Sequence, residues 1–334
     1  MPLRLRTTRR ALIAGSLAAL GAKVAPSFAQ DTGGWPDHPV KLVVPYPAGG
    51  STDVLTRILA EHLKEKLNQS FVVENKPGAG GNIGIAAVTG SPPDGYTIGS
   101  ATVGHFSINQ YLYQNMPYDP EKDFVPVTMT WDMPNVFVVA AEHVPATTLA
   151  EFIAWAKPRG GVSFGSPGVG TSPHLSAALF STRTGINGTH VPFRGAAQTI
   201  PAMLAGDIAY AIDNLASYIP QIESGKMRAL AVTSAERWPT LPSVPTMAEA
   251  GMNDFVVTSW AGFVVPTGTP RPIINRLAGV MREIAADAEV KRRFQIAGAR
   301  SLSSTPEEIA AKAAKERPMW KEMVRISGAK GASG

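Results

Sequence analysis

The sequence predicts an α/β fold in two lobes, and three observations carry that expectation. From residue 40 onward, short β-rich runs alternate with segments whose apolar residues recur at helical spacing, the pattern of strands joined by crossover helices. The strand-like runs outnumber the roughly five or six strands of an average sheet, so two sheets are expected. The 334-residue chain also holds 32 glycines and 28 prolines, enough to punctuate many tight turns.

The strand candidates are residues 40–45, 71–74, 96–101, 125–130, 136–140, 162–165, 189–192, 208–212, 229–232 and 255–265, most of them bounded by Gly, Pro or Asp. Helical spacing marks residues 53–67, 149–156, 173–184 and 273–286. A final amphipathic helix opens at Thr305-Pro306-Glu307-Glu308, with Thr305 as cap and Pro306 in the first helical position, and runs to about residue 326. The longest apolar β-rich stretches, 125–140 and 255–265, are candidate crossings between lobes. On that division residues 30–131 and 256–334 form the first lobe and 132–255 the second.

The formal charge of +5 invites a nucleic-acid reading, but its location refuses it. Residues 1–29 carry five of the 31 basic side chains and no acid, which leaves 26 basic against 26 acidic groups in the remainder. A neutral body lacks the field that concentrates phosphate backbones, so no nucleic-acid partner is expected. Zero cysteines exclude a disulfide framework, a thiolate metal site and a cysteine nucleophile. No histidine pair has metal-ligand spacing on one helix, so neither a metal nor a cofactor is expected.

The basic front is an export address. Arg4, Arg6, Arg9 and Arg10 precede an apolar run at 11–22, and Ser27 and Ala29 stand where a signal peptidase reads small residues. The run is too short to span a bilayer, and cleavage is expected to leave Gln30 as the first residue of a periplasmic protein. Thr8-Arg9-Arg10-Ala11-Leu12-Ile13 also resembles a twin-arginine export motif.

Two motifs are decoys. Gly161-Val162-Ser163-Phe164-Gly165 matches the nucleophile elbow of serine hydrolases, yet its centre reads as a strand and no acid-then-histidine order follows it. Gly78-Ala79-Gly80-Gly81-Asn82-Ile83-Gly84 resembles a dinucleotide loop with its third glycine displaced, and reads better as a turn ahead of a helix.

The chemistry gathers at strand ends. The first strand runs into Tyr46-Pro47-Ala48-Gly49-Gly50-Ser51-Thr52-Asp53, whose glycines let N–H groups converge and whose Ser51, Thr52 or Asp53 can cap the helix that follows. The positive end of that helix favours an anion, and a carboxylate is the natural guest. A second strand repeats the device in Ser166-Pro167-Gly168-Val169-Gly170-Thr171-Ser172-Pro173-His174. Thr102 and His105 follow a third strand and Asp213 a fourth, where ligands of α/β sheets sit. Arg194 is placed either to pair at the surface or to reach a second ligand charge. For His105, His174 and Asp213, structural roles compete with ligand contact.

The segments KLVVPYPAGGSTDVLTRILA, VVENKPGAGGNIG, VPFRGAAQTIPAMLAGDI and DNLASYIPQIESGKMRALAVTS occur in series. With their neighbours across residues 35–328 they closely resemble the periplasmic substrate-binding receptors of tripartite tricarboxylate transporters, the Bug-type solute receptors. The resemblance implies a two-lobed periplasmic-binding-protein fold of the Venus-flytrap type, and a receptor rather than an enzyme. Such a receptor closes on a small carboxylate and delivers it to a two-component membrane permease. It further implies that the loops at 48–53 and 166–174 hold one ligand carboxylate, here a di- or tricarboxylate, an acidic amino acid or an aromatic acid. A monomer is expected. The rival readings are a secreted serine hydrolase using Ser163 and the ligand-binding partner of a membrane sensor.

Overall fold

The computed structural model describes residues 34–331, so the export signal at 1–29 and the Gln30 start lie outside the described residues. The first part of the chain forms β1 (Val40–Val44), α1 (Ser51–Leu67), β2 (Phe71–Asn75), α2 (Asn82–Thr89), β3 (Thr97–Thr102), α3 (Asn109–Leu112) and the long β4 (Phe124–Ala140). The middle follows with α4 (Leu149–Ala156), β5 (Val162–Ser166), α5 (Ser172–Thr184), β6 (Gly188–Pro192), α6 (Ala196–Leu204), β7 (Tyr210–Asn214), α7 (Leu215–Glu223) and β8 (Met227–Val232). Last come β9 (Thr258–Pro266), α8 (Arg271–Ala286), α9 (Ala288–Ile296), the short β10 (Arg300–Ser301) and α10 (Pro306–Ser327). A 3-10 turn at Ala79–Gly81 precedes α2, as the glycine-rich motif implies, and a π-helical turn at Gly104–Ile108 follows β3.

The strands join into one continuous sheet in the order β2-β1-β3-β9-β4-β7-β5-β6, with β8 and β10 also on β4. This corrects the expectation of two separate sheets. The reason is β4, whose 17 residues were expected as two strands, at 125–130 and 136–140. From Phe124 to Pro134 it pairs with β9, and from Asn135 to Ala140 with β7 and β8. Pro134 reads as a strand breaker because it has no N–H, yet it stands where β4 changes partner and the ladder continues past it. Each half of the sheet thus owns one end of a single strand.

The second crossing is not a strand throughout. β9 begins at Thr258 rather than at 255, and the chain just before it is tied to the other half instead: Val257 N–H donates to Thr233 O at 2.9 Å and Thr233 Oγ1 to Val257 O at 2.5 Å. Thr233 directly follows β8.

α10 starts as expected, with a capping box in which Thr305 and Glu308 satisfy each other's backbone N–H. Its buried Ile309, Ala313, Trp320, Met323 and Val324 share a core with Val43 and Ile85 of one sheet half and with Phe137, Phe152, Phe180 and Tyr210 of the other. It packs on α5 and on the π-helical turn, where Ser107 Oγ donates to Ala313 O at 3.1 Å. The C-terminal helix is therefore common to both halves.

Candidate ligand cavity between the sheet halves

A cavity of about 660 Å³, counted with its open mouth, lies where loops from both halves meet. The β1–α1 loop supplies Tyr46, Pro47, Ala48, Gly50, Ser51 and Thr52, and the end of β3 supplies Thr102, Val103 and Gly104. The other half contributes Pro167, Thr171, Ser172 and Pro173 before and within the first turn of α5, and Arg194 to Ala197 at the start of α6. Asp213, Asn214 and Ser217 come from the β7–α7 junction, and Ser259 from β9. The N-termini of α1, α5, α6 and α7 all border the one space.

The capping expected for α1 is absent. Its N-cap is Gly50, and no side chain bonds its first-turn N–H groups. Asp53 turns away instead: its Oδ2 accepts the Gly49 N–H at 2.9 Å, and Arg57 Nε and Asn75 Nδ2 donate to its carboxylate. Burial works against ionisation of Asp53, but these donors outweigh it and hold the carboxyl below its usual value. Gly49, at φ +80, and Asp53 therefore shape the loop without lining the cavity. Ser51 Oγ shares a hydrogen bond with Ser217 Oγ at 2.7 Å, linking α1 to α7 across the two halves. Tyr46 Oη shares one with Thr102 Oγ1 at 3.0 Å, and burial pushes the phenol up to about 12, so it stays protonated.

The predicted histidines stand behind the wall. His105 Nδ1 accepts the Thr102 N–H at 2.9 Å, and burial pushes its imidazole down to about 4. Its Nε2 packs so close to Gly81 that a Cβ there would lie 2.3 Å away. His174 Nδ1 accepts the Gly170 N–H at 3.0 Å, and its ring stacks on His190 at 3.8 Å between centroids. Burial first, and the neighbouring His190 second, push His174 down to about 3. His190 Nε2 shares a hydrogen bond with the buried Ser166 Oγ at 2.7 Å. Ser166, Gly168, Gly170 and His174 thus form the scaffold that presents Thr171 and Ser172, and none of them lines the cavity. Thr171 caps α5 by accepting the His174 N–H, and its hydroxyl donates to Gly168 O at 2.8 Å.

Sequence reasoning missed the α6 N-terminus and Ser217. Both belong to nine-residue helices with an internal proline, Pro201 and Pro220, which read as breakers. The signal that could have found α6 is Gly195, which follows a strand end just as Gly50 does. Ser163, the rival nucleophile, lies within β5 and its hydroxyl donates to Asp207 O at 3.1 Å. Among the described residues, no cluster of three or more His, Cys, Asp or Glu could hold a metal, and no helix is long and apolar enough to cross a membrane.

The sequence profile described as "Tripartite tricarboxylate transporter family receptor" matches residues 55–325. The chain belongs to this receptor family. Among its relatives, Protein BugT of Bordetella pertussis is 36% identical over 325 residues, covering 97% of this chain and 98% of the relative. A protein encoded in the tcbD-tcbE intergenic region of Pseudomonas sp. strain P51 is 35% identical over 317 residues, 95% of this chain and 94% of the relative. Among solved structures, Rpa4515 of R. palustris, determined with adipate, superposes with a TM-score of 0.85 at 36% identity, covering 88% of this receptor and 98% of that chain. The periplasmic binding protein BugD gives 0.84 at 34%, covering 89% and 100%. MatC from Rhodopseudomonas palustris, with bound malate, gives 0.81 at 29%, covering 87% and 100%. The receptor accordingly has the α/β periplasmic-binding-protein fold and is a solute-binding protein of a transport system, not an enzyme.

Proposed function

We propose that the receptor is exported to the periplasm, closes on a small carboxylate in the cavity described above, and passes it to the membrane permease of its transporter. The observation that carries this reading is the uncapped first turn of α1, bordered by the hydroxyls of Ser51 and Thr52, at a cavity shared with the α5 N-terminus. Unpaired N–H groups and aligned peptide dipoles favour an anion there. The adipate and malate named with two structural relatives support the same class of guest.

In this reading Ser51, Thr52 and Ser172 donate to one carboxylate, Thr171 borders it as the cap of α5, Tyr46 and Thr102 shape the wall behind it, and Arg194 at the mouth meets a second ligand charge. The lobes are 30–131 with 256–334, and 132–255. β4 and the 255–258 segment are the crossings, and α10 serves both. Export through the segment at 1–29, with Arg9-Arg10 directing a twin-arginine route and Gln30 as the mature terminus, completes the assignment, and the working unit is a monomer.

The test is a thermal-shift screen of the mature protein over mono-, di- and tricarboxylates, amino acids and aromatic acids. A ligand at about one hundred times its Kd stabilises the native state by about 2.7 kcal/mol, enough for a clear rise in Tm. Ser51→Ala should shrink the rise produced by the best acid, and should lower the unliganded stability by no more than the lost Ser51–Ser217 hydrogen bond, about 1 kcal/mol. If no acid raises Tm, the reading fails.

A further inference from the structure

A second cavity, of about 510 Å³ counted with its open mouth, lies beside β10 and shares no lining residue with the first. Trp238 and Pro239, from the segment that follows β8, form one wall, and α9 with β10 forms the other. Side-chain bonds draw the two walls together. Arg300 of β10 donates to both carboxylate oxygens of Asp132 on β4, at 2.9 and 2.6 Å, and its Cζ lies 5.4 Å from the centre of the Trp238 ring. Thr240, just beyond Pro239, donates through its Oγ1 to Gln295 O on α9 at 2.7 Å. This cavity is therefore built from segments of both sheet halves.

Its chemistry selects a class of guest. Trp238, Pro239 and Ala299 offer apolar surface, and the lining holds two cations, Lys291 and Arg300, with no acid. Arg300 is already answered by Asp132, and more weakly by Glu236. Lys291 has no ion-pair partner among the described residues. Ser301, also in the lining, is 8% exposed, and its hydroxyl has no hydrogen-bond partner. A carboxylate oxygen that reached this hydroxyl would relieve the cost of leaving it unpaired, while the ammonium of Lys291 meets the charge. The cavity also touches the elements of the first. The turn between α9 and β10 packs on α7, where a Cβ on Gly298 would stand 3.1 Å from side-chain atoms of Leu215 and Ile219. The first turn of that helix borders the first cavity, and its Ser217 shares the hydrogen bond with Ser51 that joins the halves. A guest held between walls from both halves stabilises the arrangement in which Ser51 and Ser217 meet.

We propose that the cavity beside β10 is an effector site, which takes a small monocarboxylate with an apolar body and thereby tightens the grip of the first cavity on its own ligand. The site stands apart from the carboxylate reading of the first cavity, and the coupling rests on that reading. By reciprocity, a filled first cavity tightens the effector site by the same factor.

Benzoate is the probe, titrated calorimetrically into the full mature receptor already saturated with the best acid of the thermal-shift screen, so that the first cavity is filled. One benzoate should bind. Lys291→Gln, a change at an exposed helix position, should weaken it by about three- to fivefold, the scale of an exposed ion pair, and leave the binding of the best acid without benzoate unchanged. Saturating benzoate should in turn lower the Kd of the best acid for the wild type by about threefold or more. Benzoate that does not bind, or that binds Lys291→Gln as tightly as the wild type, overturns the site. Binding that depends on Lys291 while the best acid binds equally with and without benzoate overturns the coupling. If no acid fills the first cavity, the reading of that cavity fails, and titration of benzoate into the free wild type and Lys291→Gln still decides the site.

Discussion

His105 and His174 were read as ligand contacts or structural histidines, and the folded chain uses them, together with His190, as neutral struts. Which role a histidine takes depends on what closes over it, and the sequence does not carry that information. Gly81 closing on His105, and the His174–His190 stack, are tertiary events between segments far apart in the chain. The cavity hydroxyls were legible because strand-loop-helix junctions with Gly followed by Ser or Thr have one dominant geometry. The struts predict an acid sensitivity. Their folded values of about 4, 3 and 4 lie below the ordinary imidazole value near 6.5, so the folded state binds these protons less readily than the unfolded chain. Their contribution is complete above about pH 6.5 and is lost as pH falls toward the folded values. Asp213, raised to about 6, acts in the opposite sense: its contribution is present below the ordinary aspartate range and lost as pH rises through about 6. Three imidazoles against one carboxyl leave a net loss in acid. Urea unfolding should therefore show lower stability at about pH 5 than at about pH 7.5, and Asp213→Asn, by removing the opposing group, should widen the difference. Equal stability at the two pH values would show that the imidazoles are not held neutral.

Element by element, periodicity located the strands and the capped helices, because alternation and cap residues are local signals. It failed where proline sits inside an element, as in β4, α6 and α7, since a proline is tolerated or excluded according to which backbone partners surround it. β10, of two residues, is too short to leave a pattern. The junction between α3 and the β5–α5 loop offers a test at this scale. Gly170 has φ +77, and a Cβ there would lie 1.9 Å from Cδ2 of the buried Leu112. Gly170→Ala should destabilise by about 1–3 kcal/mol through backbone strain and overpacking. Combining it with Leu112→Ala should cost less than the sum of the two single changes, measured by chemical denaturation as a double-mutant cycle. Strict additivity would mean that the two sites do not touch.

For the whole molecule, two sheets were expected from a surplus of strands, and the folded chain has one sheet whose halves share β4 and whose cores share α10. Strand number is a property of composition and pattern. The sharing of one strand between two halves depends on which strands pair along it, and those partners are distant in the sequence. The consequence for function is that ligand can reach both halves at once, with α1 and β3 on one side and α5, α6 and α7 on the other. The central claim is that helix N-termini from both sides grip a carboxylate. Calorimetric titration with the best-binding acid of the screen and with its neutral primary amide measures this directly, because the amide removes the charge and replaces one acceptor oxygen facing those N–H groups by a donor. A charge-assisted hydrogen bond contributes about 1.5–3 kcal/mol, so the account predicts that the amide binds more weakly by about tenfold or more. An amide that binds as tightly as the acid would contradict it.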